Sequence, residues 1–251
     1  MMRFRGRIAV ITGASRGIGR AVALAFAREG AHVVAIAREK SVGALEALDD
    51  DIRAAGGSAT LVPMDLTDYP AIDRLGAAIH ERWGRLDILI ANAGLLGSLS
   101  PLGHIVPREW DRVMAVNLTA NWRLIRSLDP LLRRADAGRA IFVTSGAAQK
   151  AVPYWGLYAT SKAALEKLVE IYAAETAKTA LRVNLIDPGP VRTAMRAAAF
   201  PGEDPETLPP PEALAPLFLE LAAPDFAETG RRIRFRDWLA AHATDGTEDA
   251  L

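Results

Sequence analysis

Tyr158 and Lys162 stand four residues apart in a segment of helical character, a spacing that places a phenol and an ammonium on one helix face. With four tyrosines and five lysines in 251 residues, a Tyr-x-x-x-Lys pattern arises by chance only roughly 0.08 times. An exposed helix pair shares that spacing, so the neighbouring residues matter. Ser145 follows the strand-like run Ile141-Phe142-Val143-Thr144 and precedes Tyr158 by thirteen residues; its hydroxyl is expected at the end of that strand. A hydroxyl, a phenol and a cation suit carbonyl chemistry, which needs a hydride at carbon and a proton at oxygen. A free phenol, with a pKa of about 10, is a poor proton switch near neutrality. The Lys162 cation, helped by the positive charge of an oxidised hydride carrier, is expected to bring the Tyr158 pKa down, while Ser145 donates to the substrate oxygen.

A second group of residues suits a dinucleotide. In Thr12-Gly13-Ala14-Ser15-Arg16-Gly17-Ile18-Gly19 the glycines permit a tight turn and let backbone amides approach a pyrophosphate at a helix N-terminus. Gly13, Ser15, Arg16, Gly17, Ile18 and Gly19 are the expected contacts, although a plain strand-to-helix turn would also collect glycines. About 20 residues on, an NAD site carries an acid against the ribose 2′-hydroxyl; this chain has Ala37-Arg38 there. Arg38 and Arg16 suit a 2′-phosphate, so NADP(H) is the expected cofactor, with NAD(H) possible and Glu39 as an opposing charge. Asp65-Leu66 and Asn92-Ala93-Gly94 follow two further strand-like runs. Asp65 either accepts from an adenine amino group or caps the helix near Asp68; the small residues let backbone lie against a ribose.

Positioning these groups requires strands that end at a common edge. Short β-rich runs alternate with helical segments: Ile8–Thr12, 18–29, His32–Ala37, 42–55, 59–63, 68–83, 87–91, 107–134, 140–145, 157–179, 181–187, 212–222 and 231–235. The strands are nearly continuous apolar runs and the connections are long enough for crossover helices. That predicts an α/β fold, a doubly wound Rossmann-like sheet, mainly parallel with helices on both faces, whose ligands sit outside the carboxyl ends of the strands. Residues 1–251 are expected to form one domain, with the proline-rich segment 199–211 as a candidate lid and 237–251 as a tail. The arginines at 231, 232, 234 and 236 are expected to form a solvated strand face.

Composition narrows the function classes. Thirty basic residues balance thirty acidic ones, so no global field draws the chain to nucleic acid or an acidic membrane. The absence of cysteine excludes disulfides, thiolate zinc sites and cysteine nucleophiles and fits a cytoplasmic location. No apolar run reaches membrane-spanning length, and four scattered histidines lack metal-ligand spacing, so no metal is expected.

These motifs together resemble the short-chain dehydrogenase/reductase family, from about Arg7 to Phe235, and more narrowly the YciK-like bacterial oxidoreductases through Tyr154-Trp155-Gly156 and 195–205. The resemblance implies a seven-stranded sheet, a homodimer or homotetramer built through the long helices, and a small-molecule carbonyl or alcohol substrate. It also implies that Asn117, a helix-surface residue by spacing alone, joins Ser145, Tyr158 and Lys162, holding a water that links Lys162 to solvent. Lys162 is implied to bind the nicotinamide ribose; Pro188, Gly189, Val191 and Thr193 are implied to wrap the nicotinamide. Trp155, Leu95, Leu96, Met195 and Phe200 are candidates for an apolar substrate pocket. A non-catalytic nucleotide sensor on the same fold is the alternative, but loss of Tyr158 or Lys162 would be its mark and both are present. A sugar-nucleotide epimerase would need further substrate-binding sequence.

Overall fold

The structure, a computed structural model, describes residues 2–244. Seven strands, β1 (Ile8–Thr12), β2 (His32–Ala37), β3 (Ser58–Pro63), β4 (Ile88–Ala91), β5 (Arg139–Val143), β6 (Arg182–Asp187) and β7 (Arg232–Arg234), form one sheet in the order β3-β2-β1-β4-β5-β6-β7. Every pairing is parallel. Every residue of β1, β4 and β5 is buried, as a sheet covered on both faces requires. Alternation in β1 sends Ala9 and Ile11 into one core and Ile8 and Val10 into the other.

The first core is closed by α1 (Gly17–Arg28) and α2 (Val42–Ala54), with Phe26, Leu45 and Ile52 fully buried, and by α8 (Ala215–Leu221), which contributes Leu217 and Phe218. The second lies under α3 (Tyr69–Trp83), α5 (Ala120–Leu132) and α6 (Gly156–Thr176), with Ile72, Leu128 and Val169 at its centre. Asp68 caps α3 by accepting from the Ala71 amide at 3.2 Å. Asp65 therefore does not cap that helix.

Four expectations are corrected. The segment 107–134 is helical as far as Leu132 but not uniformly α: α4 (Pro107–Met114) runs into α5 through a π-helical turn at Ala115–Thr119, where the Ala120 amide reaches back to the Ala115 carbonyl. The region before the expected lid contains α7 (Ala194–Ala199), capped by the Thr193 hydroxyl accepting from the Arg196 amide. The expected tail begins inside α9 (Phe235–Thr244), whose Trp238 donates to Glu220 on α8 at 2.7 Å; residues 245–251 lie outside the described residues. Lastly, the arginines of the final strand do not all face solvent. Arg232 turns inward to Glu166 and Asp187 at 2.8 and 2.9 Å, because two buried carboxylates need a counter-charge.

Candidate active site

The sheet order reverses between β1 and β4, and a cavity of about 1240 Å3 opens over the carboxyl ends of the strands there, as expected at such a switch point. Gly13, Ser15, Arg16, Gly17, Ile18, Arg38, Asp65, Leu66, Asn92, Ala93, Gly94, Tyr158, Lys162, Pro188 and Thr193 all line it. Strand order sets Arg38 and Asp65 toward the β2–β3 side and Tyr158, Lys162 and Pro188 toward the β5–β6 side.

At the first turn, Gly13 and Gly17 adopt positive φ, 70° and 55°, which favours glycine. Helix α1 begins with no side-chain cap and no acid in its first turn, so its leading amides face the cavity mouth without a protein carboxylate to compete with an anion. Gly19 serves a different purpose from the one its motif suggests. A Cβ there would collide with the Gly13 carbonyl and lie 2.5 Å from Asn92 Nδ2, so this glycine permits packing inside the turn. Thr12, outside the expected set, ties the strand ends together: its hydroxyl accepts from the amides of Asn92 and Ala93 at 3.0 Å each, while Asn92 Nδ2 donates to the Thr12 carbonyl at 2.9 Å.

Asp65 accepts from both the amide and hydroxyl of Thr67, at 2.9 and 2.8 Å. The Thr67 amide, with lesser help from the Thr67 hydroxyl and Arg38, holds the carboxyl below its ordinary range despite partial burial. Lys40 and Ser41 also line the cavity beside Arg38. The signal was a second cation two residues after Arg38, and the short helical turn at Glu39–Ser41 is what brings it round.

The reacting side is built on α6. Tyr158 and Lys162 are both buried, and the Lys162 ammonium lies 5.9 Å from the centre of the Tyr158 ring while donating to the Val143 carbonyl at 2.8 Å. Ser145 leaves β5 in an extended conformation with its oxygen accepting from the Ala147 amide at 3.2 Å. Asn117 sits in the π-helical turn and is fully buried, contrary to the surface position its spacing suggested. Its Oδ1 accepts from the Leu95 amide at 2.8 Å, and its Nδ2 donates to the Leu95 carbonyl and the Ser161 hydroxyl, both at 2.9 Å. The widened turn rotates this side chain inward and clamps the segment after β4 onto α6.

Electrostatics departs from expectation. Burial pushes Tyr158 up to about 12; the Ser145 hydroxyl opposes this and Asp187 adds to it. Burial brings Lys162 down to about 8, against the pull of Glu166. Desolvation dominates both groups in the protein alone.

The segment after β6 folds back over the first turn: Thr193 Cγ2 comes within 3.4 Å of where a Gly17 Cβ would stand. Val191 is buried in the first core. Beyond it, Arg196 pairs with both oxygens of Glu203 at 2.5 Å and stacks 3.6 Å from the Phe200 ring centre. Phe200 meets Trp155 at 5.6 Å between ring centres, and Trp155 meets Tyr158 edge-on at 6.1 Å. Of the other apolar candidates, Leu95 and Met195 line the cavity. Ser145, Asn117, Gly19, Gly189 and Val191 are absent from its lining, although the first two support residues that do line it.

Comparison with known proteins gives a consistent picture. The short chain dehydrogenase family model matches residues 7–204. The uncharacterized oxidoreductase YciK of Escherichia coli K12 is 39% identical over 223 residues, 87% of each chain. An uncharacterized NAD-dependent oxidoreductase of Mycobacterium tuberculosis is 38% identical over 202 residues, 76% of this chain and 73% of its own. Among solved structures, a Shigella flexneri short chain dehydrogenase complexed with NADP superposes with a TM-score of 0.89 at 36% identity, covering 94% of this chain and 99% of the other.

Proposed function

The chain belongs to the short-chain dehydrogenase/reductase family and is an NAD(P)-dependent oxidoreductase, and from that premise we propose that it prefers NADP(H) and interconverts a carbonyl and an alcohol with Tyr158 as general acid and base. The carrying observation is a single cavity that joins an uncapped helix start flanked by Arg16, Arg38 and Lys40 to the buried Tyr158 and Lys162.

The residues present fit the cofactor. Gly13, Ser15, Gly17 and Ile18 would hold the pyrophosphate, Arg16 and Arg38 the 2′-phosphate, Asp65 and Leu66 the adenine, and Asn92, Ala93 and Gly94 the adjoining ribose. Lys162 and Tyr158 would meet the nicotinamide ribose, with Pro188 and Thr193 of the cavity lining beside the nicotinamide. When bound, the cofactor exchanges a hydride and, oxidised, brings a positive charge beside the phenol. Tyr158 gives its proton to the carbonyl oxygen in reduction and takes it back in oxidation. Ser145 donates to that oxygen as charge develops. The Asn117 carbonyl accepts from Asn121 Nδ2 at 2.8 Å and would hold the water that relays protons to Lys162. Residues 199–211 act as a lid over the substrate, held by Arg196–Glu203 and Arg192–Glu206.

Titrations with NADPH and NADH, followed by nicotinamide fluorescence, test the cofactor assignment. NADPH is expected to bind at least about tenfold tighter, and Arg38→Asp to reverse the order. Equal affinities for the two in the wild type would remove the preference; no binding of either would remove the cofactor reading.

A further inference from the structure

The groups that react do not stand on one element. Lys162 is on α6, Tyr158 one turn before it, Ser145 at the end of β5, and the segment expected around the nicotinamide starts after β6. One side chain on the last strand touches all three regions. Arg232 Nε donates to Glu166 Oε1 at 2.8 Å, and Arg232 Nη2 donates to Asp187 Oδ2 at 2.9 Å and approaches the Ser145 carbonyl at 3.4 Å. Glu166 is one helical turn beyond Lys162 and accepts also from Thr144 Oγ1 at 2.7 Å and Gln149 Nε2 at 2.5 Å. Asp187 accepts the Gly189 amide at 3.1 Å with its other oxygen. Glu166 and Asp187 are almost wholly buried.

The network is balanced: two carboxylates, the Arg232 guanidinium and the Lys162 ammonium. The groups of each sign come from different elements, Lys162 and Glu166 from α6, Asp187 from β6 and Arg232 from β7, while the remaining polar neighbours of Lys162 and Tyr158, namely Asn117, Ser145, Ser161 and the Val143 carbonyl, are neutral. A planar fork suits this position because it spans two carboxylates at once. Breaking it would leave two buried carboxylates without their partner.

We propose that Arg232 is a positioning residue for the Tyr158–Lys162 centre, acting through Glu166 and Asp187 to fix the strand ends around it and to hold its charge balance. The inference rests on the functional reading above, but its test does not require turnover. The titration of Lys162 is followed by NMR in protein labelled with 13C at lysine Cε, with Lys162→Met identifying the resonance among five lysines. Arg232→Met leaves both carboxylates beside the centre uncompensated, so the Lys162 midpoint rises from about 8 by about one pH unit. Glu166→Gln removes a carboxylate and lowers it. Arg232→Lys retains the charge and holds the midpoint within about 0.3 unit of wild type, while losing the two-pronged bridge.

Opposite shifts in Arg232→Met and Glu166→Gln, with Arg232→Lys near wild type, are the expected result, because loosened packing alone would not give them opposite signs. Unmoved midpoints, or shifts in one direction, overturn the proposal. If Arg232→Met does not fold, Arg232→Gln is read in its place: a raised Lys162 midpoint upholds the proposal, and one unmoved or lowered overturns it. NADPH fluorescence titration of the same samples keeps the two readings apart: no binding by wild type counts against the function, while the Lys162 shifts still decide the role of Arg232.

Discussion

Lys162 holds its ammonium in the protein interior on one carbonyl oxygen. Burial lowers its pKa from 10.5 to about 8, so the unfolded chain binds that proton more tightly. Between about pH 8 and 10.5 the unfolding free energy therefore rises with pH, and below this window burial of the ammonium costs stability. Lys162→Met should lose that pH slope, which urea unfolding at pH 7 and 9.5 checks. The same substitution is expected to abolish turnover. For Tyr158→Phe, a carbonyl screen with NADPH should show rates lower by about 10²–10⁴, with NADPH affinity changed no more than about threefold. The placement of Tyr158 and Lys162 at the cavity could be read from spacing because both project from one regular helix. Asn117 could not: its inward orientation comes from one extra residue in a helical turn, which hydrophobic periodicity does not register. Arg232 was misread for a related reason, since alternation on an edge strand does not reveal that two acids wait beneath it.

Among the elements, the π-helical turn and the glycine turn bear most directly on the site. Asn117→Ala would leave the Leu95 amide and carbonyl and the Ser161 hydroxyl short of partners, an expected loss of about 2–4 kcal/mol in denaturant unfolding. Gly19→Ala presses a methyl group onto the Gly13 carbonyl and Asn92; it should lower stability by about 1–3 kcal/mol and weaken NADPH binding with it, both measurable on one preparation. The strands and their long crossover helices were legible because their apolar runs are continuous and helical period fills the connections between them. Helices α7 and α9 were not. The first is six residues of AMRAAA between loops, too short for a period, and the second had its Phe235 read as the end of the last strand and its Trp238 absorbed into a segment that reads as a polar tail.

At the scale of the molecule, the outer faces of α5 and α6 leave Trp122 and Ile171 exposed, at 42% and 51%, which supports the proposal that these helices meet a second copy of the chain. Sedimentation velocity should show a dimer or tetramer, and the double variant Trp122→Glu with Ile171→Glu should shift it to monomer by placing like charges in the contact; a monomeric wild type would sink the idea. Sheet order carries a further consequence. The central strand β1 takes its second neighbour from β4, whose Ile88 pairs with Ala9, while β2 and β3 lie on its other side. During synthesis the β3-β2-β1 half can assemble as soon as it leaves the ribosome, but one edge of β1 then stays bare until β4 is made. From the end of β3 at Pro63 to the end of β4 at Ala91, at about 5–20 residues per second, that interval lasts roughly 1–6 s. Over those seconds the nascent chain presents an apolar, unpaired strand to everything in reach, and its yield in a cell will depend on how crowded the message is with ribosomes carrying the same exposed edge.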